Sequence, residues 1–295
     1  MTITELARLI SGWILSFFGS DFAIAFISAC AGAIAGALGA QRIADRSKRR
    51  DELLKELRST NAAMTVAFSI ANTALTLKKQ HVQPMYDMFV NDKARFTALT
   101  VQQVPGGSIA GGAPQFLLDL RRLAFPEFPM ESLRSLVFEK ISAQGRALAL
   151  VSSLGQATSG LRDSLARREK LIQEFADARE TTAALTYRYF GIRTASGHTY
   201  QEFADLVDAI LSYTDDIAYF GAMLCSDLEV HGERVRAALV KAGRKDAPKV
   251  SNVDFEKARS LGLMPPESQY ADWIAAFRER VPSGDVARRK GHETS

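Results

Sequence analysis

Four histidines, His81, His198, His231 and His292, are the side chains best suited to proton transfer or metal ligation in this 295-residue chain, and they are scattered. Only His231 has a partner at helical spacing, Asp227 four residues earlier, and a single carboxylate beside a single imidazole makes a surface ion pair or a cap contact. A di-metal site in a helical bundle needs glutamates on facing helices and a Glu-x-x-His step, which the chain lacks. Asp215 and Asp216 are adjacent, so on a helix they diverge by about 100° and do not suit paired acid and base work. Ser152, Ser153 and Cys225 fall in helical patterns with no base implied by spacing, which leaves nucleophilic catalysis unsupported. The paired glycines of residues 102–114, QQVPGGSIAGGAP, invite comparison with a phosphate cradle, but no strand precedes them and no Gly-Lys-Ser/Thr follows. The expectation is a protein that is not an enzyme and holds no cofactor or metal.

Charge and cysteine usage narrow the class further. The chain carries a net charge of +4, but residues 1–50 hold six cations against three anions, leaving 31 cations against 30 anions in the rest. A nearly neutral bulk gives no electrostatic footprint for nucleic acid. The short basic run Arg288 to Lys290 reads as a solvent-facing tail. Cys30 and Cys225 are far apart in sequence and cannot easily meet, so no disulfide framework is expected.

The elements that would position any site begin with an apolar stretch. Residues 22–40, FAIAFISACAGAIAGALGA, are uncharged for nineteen positions, close to the roughly 20 residues that cross a bilayer core at 1.5 Å per residue. Its bulky members are Phe22, Ile24, Phe26, Ile27, Ile34 and Leu38, so insertion is marginal. Ser28, Gly32, Gly36 and Ala40 recur every four residues on the side opposite the Ile27, Ile34 and Leu38 ridge, a smooth face of the kind that lets two helices approach closely. The same pattern arises when Ala and Gly merely fill a weak span. Arg42, Arg46, Lys48, Arg49 and Arg50 follow directly, with Asp45 as the one anion among them, and this collar places the C-terminal bulk in the cytoplasm. A cleavable signal peptide is disfavoured by that cluster, because cations directly after the cut would oppose export. Residues 4–18 are too short to span and suit an interfacial or re-entrant helix, with a second pass as the alternative.

Beyond the collar, helical periodicity dominates. Leu54, Leu57, Asn61, Met64, Phe68, Ala71, Leu75, Val82, Met85 and Phe89 alternate steps of three and four, with Lys78 at the skipped position. This heptad seam faces either another copy or other helices of the same chain. Asn61 at an a position would set register in the first case and be bonded inside the bundle in the second. Pro84 is expected to end or kink the helix, and a short helix is expected at 115–124. A long pattern follows from Met130 to about Phe190, bending or breaking near Gly155 to Gly160. Thr199 and Glu202 open a helix to about Ala242, stopped by Gly243. Short helices follow, from Ser251 to about Leu261 and after Pro265 and Pro266.

The expected fold is all-α, with an N-terminal transmembrane helix continuing into a long cytoplasmic helix packed in an elongated helical bundle. Its divisions are an interfacial segment at 1–20, the span at 21–40, the collar and seam helix at 41–100, the glycine loop at 101–114, the bundle at 115–245, short helices at 246–282 and a tail at 283–295. The expected role is a single-pass inner-membrane scaffold, sensor or regulatory subunit that self-associates, with membrane lipid and an unidentified protein as partners. The alternative is an effector whose small-residue span oligomerises to permeabilise the membrane.

Overall fold

The computed structural model describes residues 21–101, 116, 118–143, 145–178, 181–194 and 197–277, with the side chains of 21–24, 26, 27, 31, 100 and 101 outside that description. The interfacial segment, the glycine loop at 102–114, His292 and the basic tail therefore lie outside the described residues. Among the described residues every regular element is helical: α1 (Asp21–Leu77), a π-turn (Lys78–Val82), α2 (Gln83–Val101), α3 (Met130–Arg134), a second π-turn (Ser135–Glu139), α4 (Arg146–Asp177), α5 (Thr182–Phe190), α6 (Glu202–Lys241), α7 (Glu256–Ser260), a 3-10 turn (Glu267–Tyr270) and α8 (Ala271–Ala275).

Two compact units are present. The first is Met1–Lys55 with Val235–Pro248, and the second is Glu56–Arg234 with Lys249–Ser295. In the first unit the described side chains of α1 are exposed from residue 25 to Arg49, while Leu54, Val235 and Leu239 are buried. Among the described residues no helix is long and apolar enough to cross a membrane. The span expected at 22–40 takes Phe22, Ile24, Phe26 and Ile27, four of its six bulky residues, from positions outside the side-chain description. The described remainder is mostly Ala and Gly, which contribute little apolar surface.

The second unit is a helical bundle with a continuous core. From α1 it takes Met64, Ala67, Ile70, Ala71 and Ala74; from α4, Leu150, Leu154 and Leu161; from α6, Ile210, Ile217, Leu224 and Leu228, all fully buried. Removing one such Leu or Ile side chain from water contributes about 1.5–3 kcal/mol. An aromatic group closes one end, where Phe89 of α2 lies 5.5 Å from Tyr189 and 5.7 Å from Phe190 of α5, and Phe203 of α6 lies 4.5 Å from Tyr189. Tilted contacts at these distances avoid the unfavourable face-to-face sandwich as well as burying area.

Several expected boundaries move, each for a local physical reason. Pro84 does not end the helix. The π-turn ahead of it lets the Gln83 N–H donate to Lys78 O across a wider turn, and the helix continues through Pro84 into α2. Residues 118–129 are not helical, because their backbone is bonded to side chains of the bundle instead: Arg168 donates to the Asp119 and Arg121 carbonyls, and the Asp119 N–H donates to the Tyr189 hydroxyl. The Met130 to Phe190 pattern breaks at 140–145, where Gly145 takes φ +62°, and again after Asp177, with Thr181 capping α5 by accepting from Ala184 N–H. It does not break at Gly155 or Gly160. α4 is continuous through both, and Gly160 is a close approach, since a Cβ there would sit 2.5 Å from the Tyr213 ring of α6. α6 and the C-terminal pieces begin and end within a few residues of expectation.

The seam faces the interior of the chain's own bundle at Leu57, Met64 and Leu75, with Leu54 buried too and Phe68 half-buried against the Phe255 ring at 5.5 Å. Asn61 departs from the seam. Its Nδ2 donates to Lys249 O at 3.0 Å and its Oδ1 accepts from Ser251 N–H at 3.1 Å, so it clips the C-terminal segment onto α1. Asn61→Leu therefore removes two side-chain to backbone bonds and leaves their partners unpaired. We expect a loss of about 1–2 kcal/mol in urea unfolding, whereas a purely apolar seam position would become more stable.

Candidate functional site

The smooth face expected at Ser28, Gly32, Gly36 and Ala40 is exposed at all four positions, and a Cβ built on Gly32, Gly36 or Gly39 would meet nothing within 4 Å. Ile34, Leu38 and Ile43 on the same stretch are 61%, 56% and 68% exposed. Of the collar, Arg42, Arg46, Lys48 and Arg49 are exposed and Arg50 is half-buried, with one loose pair, Lys48 to Glu52 at 4.0 Å.

In the second unit the chemistry-bearing residues are drawn into ion pairs that the linear pattern did not suggest. Asp227 and His231 do not pair with each other. Asp227 binds the Arg146 guanidinium through both oxygens, and His231 Nε2 meets Glu56 at 3.0 Å. The same Glu56 oxygen accepts from the Ser142 N–H at 3.0 Å and from its hydroxyl. A Ser, a His and a Glu meet here, but both of the former point to one carboxylate oxygen, so the imidazole is not placed to take the serine proton. Burial pushes the Glu56 carboxyl up, yet the bonds from Ser142 and His231 outweigh it and hold it below the usual range, which makes it a poor base. The cluster ties the 140–145 connection to α1 and α6.

Asp215 and Asp216 diverge as their adjacency requires. Asp215 pairs with Lys78 at 2.6 Å, and Lys78 also donates to Leu263 O at 2.9 Å. Asp216 accepts from the Tyr270 hydroxyl at 2.9 Å. Burial raises both carboxyls above the ordinary aspartate range, against the lowering bonds from Lys78 and Tyr270. Cys225 is buried and its thiol is pushed up to about 12 by desolvation, which rules it out as a ready nucleophile.

A cleft of about 650 Å³ opens on this unit, lined by Thr73, Thr76, Gln80 and His81 of the α1 side and by Asp119, Arg121, Arg122 and Phe125 of the 118–129 segment, with Arg168 also in its lining. Arg168 is 2% exposed, and its two Nη groups bind the Asp119 and Arg121 carbonyls at 3.0 and 2.7 Å. Asp119 holds Arg121 bidentately at 2.8 and 2.7 Å, and Glu169 holds Arg122 Nε at 2.9 Å. The Arg121 bonds and burial act in opposite senses on Asp119, and the arginine prevails, holding the carboxyl below its ordinary value. The cleft thus combines arginines held by carboxylates with His81 and neutral hydrogen-bonding side chains. Among the described residues no group of three or more His, Cys, Asp or Glu could hold a metal ion.

The sequence carried a signal for this site that periodicity alone passes over. Leu161, Leu165, Arg168, Ile172 and Phe175 step by four and three along one apolar face, so Arg168 is a cation at a core position. Lys78 at the skipped seam position is the same kind of signal. No family model, curated protein or solved structure matches this chain.

Proposed function

We propose that the chain is a membrane-anchored helical scaffold or regulatory subunit that acts through protein contacts, without catalysis, and self-associates through the face bearing Ser28, Gly32, Gly36 and Ala40. The observation that carries this reading is the exposure of every described side chain from Ser28 to Ala40, in a stretch without charge that runs into five cations. Exposed apolar runs of this kind are covered in a working protein by lipid, by another chain or by both. Lipid would cover Ile34 and Leu38, the collar would sit at the cytoplasmic headgroups, and the glycine face would meet a second copy.

Gly32→Leu combined with Gly36→Leu in the full chain should weaken self-association about tenfold in a membrane two-hybrid assay, equal to about 1.4 kcal/mol, while membrane recovery stays the same or rises. Leu at Ile34, on the opposite ridge, is the control. Unchanged association removes the packing role, and recovery of the wild-type chain in the aqueous fraction after lysis removes the anchor. Collapse of the membrane potential on overproduction would transfer the same face to a permeabilising effector.

A further inference from the structure

We propose that the cleft between α1 and the 118–129 segment is a binding site for a small phosphomonoester with an apolar body. Its volume of about 650 Å³ falls inside the roughly 300–1,000 Å³ of small-molecule sites. Two guanidiniums, Arg121 and Arg122, line it with side chains 70% and 65% exposed. Each is oriented by a carboxylate and not consumed by it. Asp119 occupies Arg121 through Nε and Nη2, and Glu169 holds Arg122 through Nε. The remaining N–H donors are left for a ligand in the bidentate fork that suits phosphoryl oxygens.

The backbone carrying this pair is fixed at three points: the two carbonyl bonds from buried Arg168 and the Asp119 N–H bond to Tyr189. Pre-positioning of this sort removes the ordering cost that flexible surface arginines would incur on binding. Arg121, Arg122 and Arg168 stand against Asp119 and Glu169, so the site is net positive, and Arg162 adds a cation 4.6 Å over the Phe125 ring. The facing wall offers Thr73, Thr76 and Gln80 for further oxygens, while Leu77, Met85 and Phe125 supply apolar surface for the body of the ligand. A dianion with three acceptor oxygens matches this mixture better than a carboxylate, which would leave one of the two forks unused.

The test is calorimetric titration of the full chain in detergent micelles with phenyl phosphate, inorganic phosphate and phenol, and it is independent of the membrane reading. Phenyl phosphate should bind with a dissociation constant below about 1 mM, inorganic phosphate about tenfold more weakly, and phenol not detectably. Arg122→Gln, which leaves only the half-exposed Glu169 behind, and Gln80→Ala on the opposite wall should each weaken phenyl phosphate about tenfold or more with unfolding temperatures held. Absence of binding heat in a folded chain, equal affinity for phenyl phosphate and phenol, or wild-type affinity in Arg122→Gln would each overturn the assignment. Loss with Arg122→Gln but not with Gln80→Ala would reduce the site to a surface arginine and overturn the cleft as its location.

Discussion

Replacing Lys78 by Met will lower stability by about 3–5 kcal/mol, the largest single effect expected in the second unit outside its apolar core. The ammonium is buried with the Asp215 carboxylate at 2.6 Å and with the Leu263 carbonyl, and both lose their donor at once. A buried ion pair contributes little net stability relative to apolar residues, but removing one member strands the other in a medium that solvates it poorly. Lys78→Met with Asp215→Leu should therefore recover most of the loss. The pH dependence has a definite sign. Asp215 titrates above its ordinary value because burial outweighs Lys78, so in that window the native state binds more protons than the unfolded chain and stability falls as pH rises. Without Lys78 the window extends further upward. The penalty of Lys78→Met should thus shrink between about pH 8 and about pH 5 in urea unfolding, as the stranded carboxyl takes a proton. A penalty equal at both values would place the cost elsewhere than on Asp215.

Arg168→Met should cost about 2–4 kcal/mol and should act locally before it acts globally. The substitution keeps the aliphatic volume but withdraws the two donors that hold the Asp119 and Arg121 carbonyls, and it removes the cation lying 5.5 Å over the Phe203 ring. Amide exchange should rise across 118–129 at denaturant concentrations where α6 remains protected. Arg168→Lys should rescue little, because an ammonium is a single point of charge and cannot reproduce a planar fork that spans two carbonyls. If Lys restored full protection, the guanidinium geometry would not be what pins the segment.

Helical class, the approximate bounds of α6 and the placement of the C-terminal short helices are legible in the sequence because each depends on neighbours within a turn or two. The spacing of Phe203, Leu206, Ile210 and Ile217, a glycine beyond the last turn and a proline pair are local signals, and tertiary contacts have no reason to override them. Nothing in the described structure packs against the glycines of the Ser28 to Ala40 face.

Where a polar or conformationally special residue meets a distant part of the chain, the local signal misleads. Pro84 is a helix breaker only if the preceding turn is α, and the π-turn changes that. Gly155 and Gly160 weaken an isolated helix, but α4 is continuous through both, and Arg134 and Tyr213 respectively fill the space that a side chain would have taken. Asn61 has the spacing of a seam residue and the bonds of a clip to residues 249 and 251. Residues 118–124 belong to an expected short helix and form none, because Arg168 and Tyr189 satisfy their backbone from outside. The sequence alone determined where apolar faces form, since burial of apolar area follows periodicity. Tertiary structure alone decided where Arg168, Lys78 and Asn61 find partners, since a buried polar group must be matched and theirs lie 47 to 190 residues away in the chain.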